Sequence, residues 1–107
     1  MAKVWVLYSP FPSLKSAQKA GAVLINRNLA ACVNIFPAHS IYEWEGKVQK
    51  QREWVLVAKT TKQCLRGAEL CIRESHPYSV PAILSFSADA NDGYAKWVRS
   101  QCKTLKY

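Results

Sequence analysis

Several features are scarce or absent in this sequence, and each absence removes a class of protein. No apolar run approaches the ~20 residues that a membrane-spanning helix requires. The short apolar run at residues 4–8 lacks the length and the cleavage site of a secretory signal peptide. The four cysteines are far apart and form no Cys-x-x-Cys pair, which argues against a zinc motif or a disulfide scaffold. We therefore expect a cytoplasmic protein with reduced, buried thiols and no membrane partner.

Known catalytic motifs and acidic residues are also scarce. The chain has no nucleophile elbow, no glycine-rich phosphate loop and no His-Glu-x-x-His motif. Lysine and arginine number 15 against 7 acidic residues, and the net charge of +8 permits weak, salt-sensitive attraction to polyanions. Only residues 47–52 form a basic cluster. A solvated surface is the favoured interpretation, and nucleic acid is not the expected partner.

The patterns that are present predict one α+β domain spanning residues 1–107. Strands are expected at residues 4–8 and 82–88, on either side of a long hairpin at residues 31–59. Apolar stripes predict helices after Ser13 and after Thr60 or Thr61, and a third helix from Asn91 that reaches Leu105. Short right-handed crossovers place the first two helices on one face of an antiparallel sheet. The expected fold is a ferredoxin-like βαββαβ plait with an extra C-terminal helix.

The long hairpin is the element around which the chain is organised. Prolines are expected to end the first strand after Tyr8 and to interrupt the first hairpin arm at Pro37, while Gly46 with Lys47 supplies the turn. Arms of about a dozen residues would span roughly 40 Å. Because a lone ribbon is marginal in water and its outer half carries Tyr42 and Trp44, we expect it to pack on another copy of the chain.

The two histidines are candidate metal ligands. His39 and His76 are both expected in loops that precede strands, where a glutamate or a cysteine could complete a site. In His76-Pro77-Tyr78 the proline fixes the backbone and aims two functional rings. The alternative is a rigid turn between helix and strand, with Tyr78 packed on the hairpin.

Two charged residues flank the apolar third strand. Glu53 and Lys59 face the same side but lie ~20 Å apart, so either both are solvated or each finds a partner on another chain. Tyr42 and Trp44 could stack on bases, as aromatic residues do in RNA-recognition plaits. The corresponding RNA-binding signature is missing from the third strand, so an interface role for these aromatics is preferred.

Several segments together resemble the CutA divalent-cation-tolerance family. LAACVNI at residues 29–35 resembles its second-strand motif, and SIYEWEGK at residues 40–47 resembles its hairpin motif. The remaining matches follow in order over nearly the whole chain: Glu53, Lys59-Thr60, His76-Pro77-Tyr78, Val80-Pro81, Tyr94 and Trp97.

The resemblance implies a PII-like fold that assembles as a tight homotrimer through edge strands and the hairpin. It implies a non-enzymatic protein linked to tolerance of copper and other divalent cations, with no certain cofactor. The implied partner is a metal ion, copper among the candidates, or a small anionic ligand. His76 and Cys32 would be the metal ligands and Lys59 the anion contact. The intersubunit cleft would be lined by Cys32, Trp44, Glu53, Lys59, His76, Tyr78 and Trp97.

Three positions differ from family members that have a proposed copper site. Tyr8 or Ser9 stands in place of a cysteine, Ser75 in place of a histidine found in some members, and Ser79 in place of an acidic or amide residue. His76 is then left with Cys32 or a glutamate as further ligands.

Two other functions stay open at this point. One is a basic plait that binds nucleic acid through residues 47–52. The other is an uncharacterised enzyme with His76 as acid–base and Lys59 as electrostatic stabiliser.

Overall fold

The computed structural model describes residues 2–103. Within that range, four strands and three helices follow one another as β1 (Ala2–Phe11), α1 (Leu14–Asn26), β2 (Cys32–Trp44), β3 (Lys47–Thr60), α2 (Lys62–Ser75), β4 (Leu84–Ala90) and α3 (Asp92–Gln101). The strands form one sheet in the order β2-β3-β1-β4, and every neighbouring pair is antiparallel. The predicted α+β ferredoxin-like plait with a third helix is confirmed. Leu105, expected on that helix, lies outside the described residues.

The first strand is longer than the sequence predicted. β1 continues past Tyr8 to Phe11, where it still pairs with Trp54 of β3. Its pairing with β4 ends at Tyr8, opposite Leu84. From there only one side of β1 carries a ladder, and a proline such as Pro10 is tolerated in a strand with one free side.

The hairpin also differs in detail from the prediction. Pro37 does not interrupt β2, which forms an edge of the sheet and pairs Pro37 with Trp54. His39 therefore lies within β2 and not in a loop. The turn consists of Glu45 and Gly46, with φ of 52° and 78°, so both residues have the left-handed conformation of a tight two-residue hairpin turn.

Helices α1 and α2 cover one face of the sheet, and their starts were predicted correctly. The Ser13 hydroxyl accepts a hydrogen bond from the Ser16 N–H at 3.0 Å, and the Thr61 hydroxyl caps α2 in the same way. Gly21 allows α1 to approach β2, because a Cβ there would lie 3.1 Å from Val33 Cγ1. The main core contains Leu7, Phe11, Leu24, Leu56 and Ile72.

The opposite face of the sheet is covered only in part. Helix α3 packs beside Val4 with its buried residues Ala95 and Val98. Phe86 pairs with Val6, next to the core residue Leu7, so strand alternation turns it away from α1 and α2. The large apolar side chains that remain exposed on this face include Phe36, Leu84 and Phe86. We call this surface, defined by those three residues, the open face.

Candidate functional site

A cavity of about 460 Å³ lies against the hairpin, next to the loop that joins α2 to β4. Register places Tyr42 and Trp44 on the same face of the ribbon as Gln51 and Glu53, because paired residues share a face and side chains alternate along each strand. All of these except Gln51 line the cavity, together with Tyr78 from the loop. The local sequence pattern of β2 and β3 therefore builds one wall of the cavity.

A continuous hydrogen-bond relay connects these side chains. The Tyr42 hydroxyl donates to Gln51 Oε1 at 2.7 Å, and Gln51 Nε2 donates to the Tyr78 hydroxyl at 2.8 Å. Tyr78 in turn donates to Glu53 Oε2 at 2.8 Å. Since a phenol has one proton and an amide nitrogen only donates, each bond fixes the direction of the next. The relay therefore ends on the carboxylate of Glu53.

The protonation state of Tyr78 is set by this environment. Burial is the main cause that raises the pKa of Tyr78 to about 12, and the hydrogen bond to Glu53 adds to the effect. The phenol consequently stays protonated and donating throughout the physiological pH range.

Glu53 is the most unusual residue of the cavity. Glu53 is only 7% exposed, whereas the neighbouring charged residues of β3 are solvated. Among residues 2–103, no lysine, arginine or histidine forms an ion pair with it. Arg52 points to the other face, where its guanidinium lies 5.5 Å from the Trp54 ring centroid. The Glu53 carboxylate is thus buried with one phenolic donor from the chain and no positive charge beside it.

His76 is held tightly at the end of α2. Its Nε2 lies 2.8 Å from the Pro10 carbonyl oxygen, which only accepts, so Nε2 carries the proton. Its Nδ1 accepts from the Tyr78 N–H at 3.2 Å, and its ring stacks on Phe11 with centroids 4.1 Å apart. Burial lowers the pKa of His76, although the Pro10 bond and Glu53 oppose this shift. His76 is therefore a neutral imidazole with both nitrogens engaged.

Cys32 and Lys59 form a second group at the other end of the ribbon. They are register partners, and Cys32 Sγ lies 4.0 Å from Lys59 Nζ. Lys59 also donates to the Asn34 side-chain oxygen. Cys32 is only partly buried, whereas Cys64, Cys71 and Cys102 are buried and all four thiols are free. The prediction of buried, reduced cysteines therefore holds for three positions and needs correction at Cys32.

Trp97 extends this second group onto α3. Its ring centroid lies 5.8 Å from that of Tyr94, and the pKa of Tyr94 is raised chiefly by burial and further by the neighbouring Cys32 thiol. The predicted cleft residues thus divide into two sets within one chain. Trp44, Glu53 and Tyr78 surround the cavity, while Cys32, Lys59 and Trp97 belong to the other end.

His76 and Cys32, the predicted metal ligands, are not brought together within one chain. His76 contacts Pro10 of β1. Cys32 pairs with Lys59 of β3, which pairs with Val6 on its other side. Val6 and Pro10 are four residues, or ~13 Å, apart along β1. Within residues 2–103, no three His, Cys, Asp or Glu side chains cluster as a metal ion would require. One chain therefore does not fit a His76–Cys32 metal site, and a site shared between copies stays a prediction.

The three positions that depart from the expected copper-site pattern have ordinary roles here. Ser75 donates from its hydroxyl to the Cys71 carbonyl oxygen at 2.9 Å, as a serine in a last helical turn commonly does. Ser79 lines the cavity, and Tyr8 lies half-buried in β1.

Comparison with known proteins identifies the family. A family model described as CutA1 divalent ion tolerance protein matches residues 5–101. The chain belongs to the CutA1 family. The Pyrococcus horikoshii protein named divalent-cation tolerance protein CutA is 34% identical over 99 residues, which cover 92% of this chain and 97% of that protein.

Other CutA1 relatives agree with this assignment. The crystal structure of CutA1 from Ehrlichia chaffeensis has a TM-score of 0.89 and 32% identity, and the match covers 94% of this chain and 96% of that one. An Arabidopsis thaliana relative, named chloroplastic, is 33% identical over 100 residues, which cover 92% of this chain and 55% of that longer protein.

The helices within residues 2–103 are too short or too polar to cross a membrane.

Two groups that hold the side chains around the cavity in place were not predicted from the sequence. Gln51 was not singled out, although its spacing of two from Glu53 places both on one strand face. The Pro10 carbonyl that binds His76 is 66 positions away in the chain and gives no local signal. Tyr78 packs on the hairpin, as the simpler interpretation of His76-Pro77-Tyr78 proposed.

Proposed function

We propose that this CutA1 family member is a homotrimeric, PII-like and non-enzymatic module of the cytoplasm. It binds a small ligand or a divalent cation, copper among the candidates, at clefts between its subunits. The observation that carries this proposal is the buried Glu53 carboxylate, which faces a cavity without a neighbouring positive charge. A buried charge of this kind calls for a partner that the single chain does not supply.

Uncovered apolar surface supports self-association. Trp44 is 57% exposed near the hairpin tip, and Ile41 and Val48 are 69% and 67% exposed on the other side of the ribbon. The open face adds Phe36, Leu84 and Phe86. Exposed apolar surface of this extent on a small domain indicates an interaction surface. A trimer that covers the open face and the hairpin would remove this surface from water.

The two residue groups support binding at subunit clefts. Trp44 lines the cavity and also carries exposed surface for a neighbouring copy. Lys59 and Cys32 offer an ammonium and a thiol at the other end of the same hairpin. A soft cation such as copper would suit a thiol ligand, and the missing ligands would then come from a second subunit.

Native mass spectrometry of metal-stripped protein tests assembly and metal binding together. The expected species is a trimer of about 36 kDa, three times the chain mass of 12.1 kDa. Copper(II) or zinc(II) is then added at one ion per chain. Metal uptake by the wild type and by Cys64→Ser, but not by Cys32→Ser, would support a metal site at the cleft.

Two other results would change the proposal. A trimer that takes up neither metal would favour a small-molecule ligand over a cation. A monomer at micromolar concentration would contradict the assembly on which the clefts depend.

A further inference from the structure

We propose that the cavity beside the hairpin holds a small organic cation with an ammonium-type head group. The Glu53 carboxylate would provide the counter-charge, and the rings of Tyr42, Trp44 and Tyr78 would form the walls. This inference rests on the proposed function, since it names the ligand class for the cavity described above.

The buried carboxylate defines the sign of the ligand. Glu53 is 7% exposed and accepts from Tyr78, but within residues 2–103 no basic side chain pairs with it. Alternation sends Lys50 and Arg52 to the opposite face of β3. His76 is a titratable base close enough for Glu53 to influence its pKa, but both of its ring nitrogens are engaged as a neutral ring. The positive charge must therefore come from outside this chain, and the cavity that Glu53 lines offers space for a molecule that carries it.

The direction of the relay disfavours an anionic ligand at this position. Tyr42 gives its proton to Gln51, Gln51 donates to Tyr78, and Tyr78 gives its proton to Glu53. Neither phenol has a second proton to donate. An anion placed beside Glu53 would meet its carboxylate and two phenol oxygens whose protons are already donated within the relay.

The aromatic lining supports a bulky organic cation. Tyr42 and Trp44 are 40% and 57% exposed, so their rings are available to a ligand as well as to a neighbouring subunit. The faces of tryptophan and tyrosine rings attract cations, and combinations of several such rings recognise quaternary ammonium groups. A carboxylate behind these rings adds a full negative charge.

A bare metal ion fits the cavity less well. Hard cations require several oxygen ligands, typically six or more for calcium. Among residues 2–103, Glu53 supplies the one carboxylate that lines this space. No cluster of three acidic, histidine or cysteine side chains lies within residues 2–103. The ring walls are suited to the methyl or methylene groups of an organic cation instead.

An NMR titration with tetramethylammonium chloride tests the inference on the full chain. The tryptophan indole N–H signals are followed, with Trp44 assigned from a Trp44→Phe variant. Sodium chloride at equal concentration controls for ionic strength, and tert-butanol serves as a neutral molecule of similar shape. We expect saturable shifts of the Trp44 signal with tetramethylammonium, and no saturable shifts with sodium chloride or tert-butanol.

Matched variants connect this binding to the carboxylate. Glu53→Gln keeps the shape and removes the charge, so it should weaken tetramethylammonium binding at least tenfold. Glu43→Gln removes one charge from the exposed opposite face of the same ribbon and should change the affinity less than twofold. If Glu53→Gln fails to fold, Trp44→Leu removes one wall and should weaken binding at least threefold.

The possible results separate this inference from the proposed function. Equal shifts with tert-butanol, or unchanged affinity in Glu53→Gln, would overturn the cation assignment. If native mass spectrometry still gives a trimer that binds copper(II), the proposed function survives that failure. A monomer that binds no metal and no tetramethylammonium would overturn both.

Discussion

At the scale of single residues, the hydrogen-bond partners of His76 determine what its imidazole can do. The Pro10 carbonyl and the Tyr78 N–H specify one neutral tautomer, and the ring stacks on Phe11. A metal ligand or an acid–base catalyst needs a free ring nitrogen. In this chain the imidazole instead connects the end of α2 to β1 and orients Tyr78 toward Glu53.

The depressed pKa of His76 predicts a pH-dependent stability. Below the ordinary histidine pKa of about 6.5, the unfolded chain binds a proton at His76 more readily than the folded chain does. The free energy of unfolding should therefore fall as the pH is lowered from about 6.5 through the folded-state pKa. Urea unfolding of the wild type and of His76→Asn at pH 5 to 8 checks this.

A second histidine provides the control for this experiment. His39 is exposed in β2, and His39→Asn should retain the pH dependence of the wild type. If His76→Asn shows the same pH dependence as the wild type, another group is responsible for it.

The phenol of Tyr78 is expected to matter for stability. Tyr78→Phe removes the donor to buried Glu53 and the acceptor for Gln51 Nε2. The free energy of unfolding should fall by about 1–3 kcal/mol, because a buried polar group is left without its partner. Tyr42→Phe, at the exposed end of the relay, should cost about 1 kcal/mol or less. Equal losses in chemical denaturation would contradict the importance of burial.

At the scale of elements, the two halves of the hairpin have different roles. Its inner half pairs with β1 inside the sheet, while residues 40–51 extend beyond the residues of β3 that pair with β1. The β2 and β3 strands are 13 and 14 residues long, and the molecule reaches 45 Å in its longest dimension. The extension carries Tyr42, Trp44 and Gln51, so the geometry of the ribbon positions the cavity wall.

The hairpin turn offers a test of this element. Glu45 has a positive φ of 52°, which asparagine tolerates better than glutamate. Glu45→Asn should therefore raise the free energy of unfolding by a few tenths to about 1 kcal/mol by creating an Asn-Gly turn. Gly46→Ala should lower it by about 1 kcal/mol, because its φ of 78° is strained for a residue with a Cβ.

Thermal or urea denaturation measures both turn variants. Opposite signs are expected because the two substitutions act on the same backbone conformation in opposite ways. A stabilising Gly46→Ala would mean that the turn adopts another conformation in solution.

At the scale of the whole molecule, the open face and the outer hairpin leave large apolar side chains uncovered. Two helices cover the opposite face of the sheet, and α3 covers only the region around Val4. This asymmetry agrees with the assembly proposed for the chain. Because no helix within residues 2–103 covers this part of the sheet, Phe36 and Phe86 are about half exposed in the single chain.

A charge on the open face should prevent assembly. Phe86 is 50% exposed in β4, and Phe86→Glu should shift the native mass from about 36 kDa to the chain mass of 12.1 kDa. Leu70→Glu is the matched control, because Leu70 is 45% exposed on α2, which packs on the other face. If Phe86→Glu assembles as the wild type does, the open face is not the interface.

The sequence by itself determined the order of elements, because that order depends on local patterns. Ser13 and the pair Thr60-Thr61 were recognised as helix caps from their position before apolar stripes, and Ser13 and Thr61 make the expected bonds. The long hairpin followed from alternation and a turn glycine.

Only the tertiary structure decided how strands end and how the site is built. Pro10 and Pro37 stay within strands because one side of each strand is unpaired at that place, and local sequence does not show which side is free. The Glu53–Tyr78 bond joins positions 25 apart, and the His76–Pro10 contact joins positions 66 apart. Such contacts depend on how the α2–β4 loop packs across the sheet, so a pattern of neighbouring residues cannot specify them.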